Sequence, residues 1–428
     1  MTPFAIALLI IVGVFLLESV ATVLNSRSTA PRPPKGFEGV YDLDRYARSQ
    51  EYKRTNSEFG LFQNILSLAA LLAFWLLGGF GWLHEWSQTW QMNEILRGVC
   101  VIGLVGAVSS LISLPFSIYD TFVIEERFGF NKTTPRTFIT DQLKSILLAV
   151  LLGGPLIAGV LWIFHTFDNA WLWAWGSLTA VTLLLSYLAP RFIMPLFYKF
   201  TPLEDGELQS AINVMAERCG FPVTGIYVID GSRRSSKANA FFTGFGKNRK
   251  IALFDTLIDN HTTEELVGVL AHEIGHFKLR HIIQQMAFGI LQTGLMLYLL
   301  NYFVTKPEIY QAFNVNPGTD LPVHFGIIFF MMLYGPIALI LGIITNKLSR
   351  IHEFQADAYA AKATGTPKAL ASALKKLTAD SLGNLTPHPM EVFLHYSHPP
   401  TPKRVAALEQ MPVKPLDPAP AAAQGESA

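Results

Sequence analysis

The chain has 428 residues, 50% of them hydrophobic and 15% charged, and its mean hydropathy is +0.33. A soluble domain carries roughly 25% charge, so the composition excludes a conventional water-soluble enzyme. Lys and Arg number 33 against 32 Asp and Glu, a net charge of +1, which leaves no basic excess for a phosphate backbone, and no nucleic-acid partner is expected. Cys100 and Cys219 lie far apart and outside any CxxC pattern, so they supply neither a disulfide framework nor a thiolate zinc site.

About 18 or more apolar residues with few charges can cross a bilayer as a helix, because hydrocarbon demands an internally hydrogen-bonded backbone. Seven blocks qualify: Pro3 to Leu24, Phe59 to Leu83, Gly98 to Ile118, Ile146 to His165, Trp171 to Pro190, Ile282 to Val304 and Val323 to Ile344. Buried helices of a large soluble protein would account for one or two of these, not seven. The first block contains a small-residue site at Ser19-Val20-Ala21, as a cleaved signal peptide would, but it lacks a basic leader, is long for a signal core and reads as an uncleaved span. Glu18 inside it suggests a bundle that is not solid, since an ionisable group at that depth usually faces protein or a water-filled cavity.

Loop charge gives the orientation. The first connection carries Arg27, Arg32, Lys35, Arg45, Arg48, Lys53 and Arg54, and the third carries Arg127, Lys132, Arg136 and Lys144, while the alternate loops are nearly bare. The positive-inside rule puts the first and third connections in the cytoplasm and the N-terminus outside. Residues 191–281 and everything after Ile344 are then cytoplasmic. The expected division is residues 1–200 for five spans and their loops, 201–281 for a catalytic segment, 282–345 for the sixth and seventh spans, 346–411 for cytoplasmic helices, and 412–428 for a Pro/Ala-rich disordered tail. Within the catalytic segment, Gly225 to Asp230 and Lys250 to Asp255 alternate with period two and predict a small sheet. Asn346 to Thr364 and Pro367 to Asp380 read as helices, and Thr401 reads as an N-cap with Pro402 in the first turn.

His272-Glu273-Ile274-Gly275-His276 is an HExxH motif. Thr262 and Glu265 fit a capping box, and Leu266, Val269, Leu270 and Phe277 give an apolar face at helical spacing. Four residues apart, His272 and His276 project from one side and can share a tetrahedral metal, with Glu273 placed to take a proton from water. The competing reading is a pair of surface histidines on an amphipathic helix. A catalytic zinc needs a third protein ligand. His281 is close but rotated off the face; Glu353 is the better candidate, and Asp357, one turn on, could hold an imidazole N–H. By spacing alone that carboxylate pair would pass for a solvated face.

With these motifs in hand, the chain resembles the integral-membrane zinc endopeptidases known as CAAX prenyl proteases of type I. The resemblance covers most of the chain: HEIGH at His272 to His276, EFQAD at Glu353 to Asp357, Glu126 to Lys132 (ERFGFNK), Pro190 to Phe197 (PRFIMPLF), Lys237 to Phe241 (KANAF), and Ser397-His398-Pro399-Pro400 with Arg404. It implies seven transmembrane helices around an intramembrane chamber, closed at its cytoplasmic end by a zincin-like protease domain, mostly α with a small β-sheet. It implies one Zn2+ per chain with Glu353 as third ligand and Asp357 behind it. Asn239 and Ala240 would lie on an edge strand that pairs with the substrate backbone. His398 would donate to the substrate carbonyl, and Arg404 would partner Glu353. The implied substrate is a protein or peptide, prenylated or otherwise membrane-associated. The short link of about 18 residues between the sixth and seventh spans, without a large inserted domain, together with no evident retention signal at the C-terminus, favours a bacterial cytoplasmic membrane over the endoplasmic reticulum. Two alternatives stand beside this: a membrane-protein quality-control protease of the related heat-shock branch, and, from another class, a transporter or channel with Glu18 on its solute path.

Overall fold

The computed structural model describes all residues except 222, 244–249, 317, 319–320 and 412–428. The expected disordered tail therefore lies outside the described residues. Among the described residues six helices are long and apolar enough to cross a membrane: Pro3–Arg27, Leu43–Leu76, Glu94–Arg127, Pro135–Thr166, Ala170–Phe197 and His281–Phe303. A seventh crossing comes from the pair Val323–Leu333 and Gly335–Thr364, bent by 55° at Tyr334.

The boundaries of the second, third, fourth, fifth and seventh spans differ from expectation. The second helix starts at Leu43, capped by Asp42, so residues 43–58 of the expected first connection are helical. It ends at Leu76 rather than Leu83, because Gly78 turns the chain at a positive φ of 80° into a separate helix, Gly79–Gln88. The third, fourth and fifth spans each contain a π-helical turn, at Asp120–Ile124, Ala149–Gly153 and Ala189–Ile193. The seventh block is broken inside its apolar run, where Pro336 cannot donate back to the preceding turn. After that break the helix runs unbroken to Thr364, so no boundary separates a span from a cytoplasmic helix at 345–346. Its apolar stretch ends at Ile344, and the remaining turns carry Asn346, Lys347 and Arg350 clear of it.

The spanning helices touch along narrow seams. Only 0–11% of the most apolar window of each of the six long helices is buried by protein, whereas a solid bundle would bury an inward stripe on every helix. Glycines in spans usually serve close helix packing, yet a Cβ added at Gly103, Gly106, Gly159, Gly176 or Gly289 meets open space. The bundle is hollow. Its end opposite the catalytic segment is closed by the link between the sixth and seventh spans. There a short helix, Pro307–Ala312, buries Tyr310 and Phe313 against Trp75, Phe80 and Phe329, and Trp75 Nε1 donates to the Ala312 carbonyl at 3.0 Å.

The catalytic segment holds a four-stranded sheet in the order β1 (Phe200–Pro202), β2 (Gly225–Ile229), β4 (Lys250–Phe254), β3 (Ala240–Thr243). The two alternating segments are the central strands, paired in parallel from Gly225↔Lys250 to Ile229↔Phe254. The outer strands escape a sequence reading because three or four residues are too few to show alternation. Helix Thr263–Lys278 is packed between the sheet, the end of the seventh-span helix and helix Pro367–Asp380, around a core of Leu266, Leu270, Ile274, Ile251 and Leu370.

Candidate metal centre and substrate cleft

The HExxH helix begins as expected. The Thr262 hydroxyl accepts from the Glu265 amide at 3.3 Å, and the Glu265 carboxylate accepts from the Thr262 amide at 2.9 Å. Glu265 also takes Lys376 Nζ at 2.8 Å and Ser372 Oγ at 2.6 Å. Burial opposes its charge, but these hydrogen bonds outweigh burial and hold its carboxyl below the usual range. The cap thus ties the helix to Pro367–Asp380.

Two glycines set how closely the neighbouring helices approach. A Cβ on Gly268 would lie 3.3 Å from the backbone of Leu370, and one on Gly275 would lie 3.1 Å from Ala356 Cα. Ala356 is one turn from Glu353, so the close approach at Gly275 brings Glu353 between the two histidines.

His272 Nε2 and His276 Nε2 are 3.1 Å apart. Glu353 Oε1 is 3.2 Å from His276 Nε2, and Glu353 Oε2 is 3.6 Å from His272 Nε2. Tetrahedral ligands at bonds of about 2.0–2.1 Å stand about 3.3 Å apart, so the three donors fit one ion. The far side of each ring is occupied. His272 Nδ1 is 2.8 Å from Asp357 Oδ1, and His276 Nδ1 is 3.1 Å from His281 Nδ1, whose Nε2 meets Gln355 Oε1 at 2.9 Å. With Nδ1 carrying the proton, each Nε2 offers a lone pair to the common point. Two bare lone pairs at this distance repel unless a cation lies between them.

Charge counts agree with this. Buried Arg404 is forked to Asp357 at 2.8 and 2.6 Å and reaches Glu353 Oε2 at 2.8 Å. One guanidinium against two buried carboxylates leaves a negative charge that a cation would balance. Both acids lie on turns past the apolar stretch. Burial opposes their ionisation, but His276 and Arg404 on Glu353, and Arg404 and His272 on Asp357, hold both carboxyls down at about 2. Arg404 is itself pushed up: burial works against its charge, and the hydrogen bonds to Asp357 prevail.

His272, Glu273, His276, Glu353, Asn239, Ala240, His398 and Arg404 line one cleft of about 630 Å³, and Asp357 stands directly behind His272. Glu273 is on its wall, and among the described residues nothing is hydrogen-bonded to its carboxylate. His398 Nε2 is 3.4 Å from Glu353 Oε1, and its Nδ1 is 2.9 Å from Ser397 Oγ. Asn239 immediately precedes β3, and its carbonyl accepts from Phe254 N at 3.0 Å. Alternation along an antiparallel ladder then turns the Ala240 amide and carbonyl to the open side of this edge strand, where Asn239 Oδ1 takes the amide at 2.8 Å.

The structure extends or corrects three expectations. Arg404 partners Asp357 as well as Glu353. His281 is not a third ligand but stands behind His276, stacked on His352 with ring centroids 4.0 Å apart. Thr401 is the first helical residue rather than the cap, which is Pro400, and its hydroxyl accepts from Thr378 Oγ1 at 3.0 Å. Gln355 and Lys237 lie inside the quoted motifs, but the sequence assigned them no role. Lys237 binds Glu125 at 2.7 Å and Tyr52 at 2.9 Å, and so fastens the loop before β3 to the third connection.

A hollow bundle of membrane helices that carries an HExxH helix, a distant glutamate and an open strand edge defines a membrane-embedded metallopeptidase. Two family models match in succession: "CAAX prenyl protease N-terminal, five membrane helices" over residues 23–199, and "Peptidase family M48" over residues 202–412. The chain is 36% identical to CAAX prenyl protease 1 of Saccharomyces cerevisiae over 89% of both chains. It is 32% identical to the CAAX prenyl protease 1 homolog of Homo sapiens over 90% of both. The crystal structure of S. mikatae Ste24p superimposes with a TM-score of 0.89 at 36% identity, covering 96% of this chain and 99% of that one. The chain belongs to the CAAX prenyl protease 1 family of M48 peptidases. It is a multi-pass membrane metalloendopeptidase, and the transporter reading is set aside. These relatives are eukaryotic and lend no support to a bacterial membrane.

Proposed function

We propose that this protein binds one zinc ion per chain through His272, His276 and Glu353, and cleaves prenylated CAAX segments near their C-termini. The observation that carries the reading is the convergence of these three donors beside Glu273, in a cleft walled by an open strand edge. When bound, zinc supplies Lewis acidity at the scissile carbonyl. The substrate lies along β3, pairing with the backbone of Ala240 and the side chain of Asn239, which sets register without demanding one sequence. Glu273 takes the proton of the attacking water and passes it to the departing amine. His398, on the exposed rim, donates to the carbonyl oxygen as charge builds there. Asp357 and His281 hold the two ligand rings, and Arg404 holds both carboxylates. The prenyl chain rests in the hollow bundle, each buried methylene contributing roughly 0.8 kcal/mol.

In this reading residues 1–200 and 282–345 form the membrane part, and 201–281 with 346–411 the catalytic part, on the cytoplasmic face. The loop charges support that orientation. Single cysteines at Thr89, Asp168 and Glu308 should label only from outside.

The deciding assay uses purified protein with a farnesylated CAAX peptide, its unprenylated twin and Glu273→Gln. Much faster cleavage of the farnesylated peptide, abolished by chelation and by Glu273→Gln, is expected. Equal rates on both peptides would leave a membrane-protein endopeptidase without prenyl specificity.

A further inference from the structure

A second cavity, of about 570 Å³, lies away from the cleft, between the start of the fourth span and the loop that follows β2. Five cations line it, Lys132, Arg136, Lys144, Arg233 and Arg234, against one carboxylate, Asp141. Asp141 is already taken by Arg234, whose Nε and Nη2 reach it at 2.8 and 3.1 Å. The Arg234 guanidinium also stacks 4.8 Å from the Tyr198 ring, and its Nη1 is buried with no partner among the described residues. A buried charged donor left unpaired is costly, so this atom calls for an acceptor from outside the chain. Lys132, Arg136 and Arg233 are exposed and make no ion pair among the described residues.

The position of the cavity says what kind of anion fits. Arg136 and Lys144 lie eight residues apart on the fourth-span helix, about 12 Å along its axis. The apolar run of that helix starts at Ile146, so the cations sit at the depth of lipid headgroups. On the same helix Ile139 and Leu143 flank the cationic stripe with 58% and 63% of their surface exposed. Lys144 Nζ donates to the carbonyl of Leu196, at the end of the fifth span, at 2.6 Å. A cationic cavity that passes directly into exposed apolar surface matches a phosphate with acyl chains attached, and not a free ion.

The structure assigns this cavity as a binding site for the phosphate headgroup of an anionic phospholipid. The test titrates the full-length protein in detergent with fluorescent phosphatidylglycerol and with phosphatidylcholine of the same chains, using inorganic phosphate as competitor. Phosphatidylglycerol should bind at least about tenfold tighter than phosphatidylcholine. Removing three charges in K132Q/R136Q/R233Q should weaken it on the order of 100-fold, at about fivefold per charge. The triple R27Q/R32Q/K35Q, which removes the same charge from the first connection, should leave this binding unchanged. Arg233→Gln alone, expected to cost about fivefold, keeps the test open if the triple does not fold. Equal losses in the two triples would mean a diffuse surface field. Equal binding of the two lipids, or displacement by millimolar phosphate, would equally overturn the assignment.

Discussion

The membrane helices and the catalytic segment are built by opposite rules. In the six long spanning helices at most 11% of the most apolar window is covered by protein. In the HExxH helix eight of 16 residues are buried, among them Glu265 and His272. A spanning helix needs only length and apolarity, because lipid or an open interior accepts its surface and its backbone is satisfied within itself. A metal centre needs side chains from distant parts of the chain held to within about half an ångström, which only dense packing supplies. The bundle therefore tolerates an open interior while the centre beside it is held by its packing.

Four measurements would break or sharpen this contrast. The largest effect is expected at Glu273, where Gln should lower hydrolysis by about 10²- to 10⁴-fold while bound zinc, read by metal analysis, stays stoichiometric. Arg404→Met comes next. It leaves Glu353 and Asp357 as buried carboxylates without their cation, at a cost of about 3–5 kcal/mol, and should show as a lower melting temperature and loss of metal. If the protein melted unchanged, the buried ion cluster would not be what holds the catalytic segment.

Glycine substitutions test the packing difference directly. Gly275→Val should push the HExxH helix off Ala356, costing about 1–3 kcal/mol and weakening metal binding. Gly103→Val enters open space and should stay within about 0.5 kcal/mol of wild type. Equal effects at the two positions would mean that the bundle is as tightly packed as the centre. The smallest effect concerns pH. The Glu265 carboxyl is held below its ordinary 4.5, so its contribution is full above that pH and is lost as the pH falls below it. Lys376→Met, which removes one of its partners, should flatten the acid limb of a melting-temperature profile, and an unchanged limb would place the acid sensitivity elsewhere.

What was readable in advance follows the range of the interactions. The HExxH face, its capping box and the central strands β2 and β4 were legible because period and cap are set within a few residues. The break at Tyr334 left a local mark, Gly335-Pro336, inside an apolar run that otherwise reads as one span. The roles of Lys237 and His281 carried no such mark, since their partners Glu125 and Gln355 are recognised only once separate helices have been placed side by side.

Local pattern was enough to show that the chain crosses the membrane many times and that two histidines share one helical face with a glutamate beside them. Both follow from local hydrogen bonding and a 3.6-residue period. Only the tertiary structure decided that Glu353, 77 residues after His276, completes the donor set, that Arg404 grips both acids, and that the open edge of β3 lies along the cleft. The placement of Glu353 depends on the close approach of helices at Gly275, and all three outcomes are fits between segments far apart in the chain that no local pattern encodes.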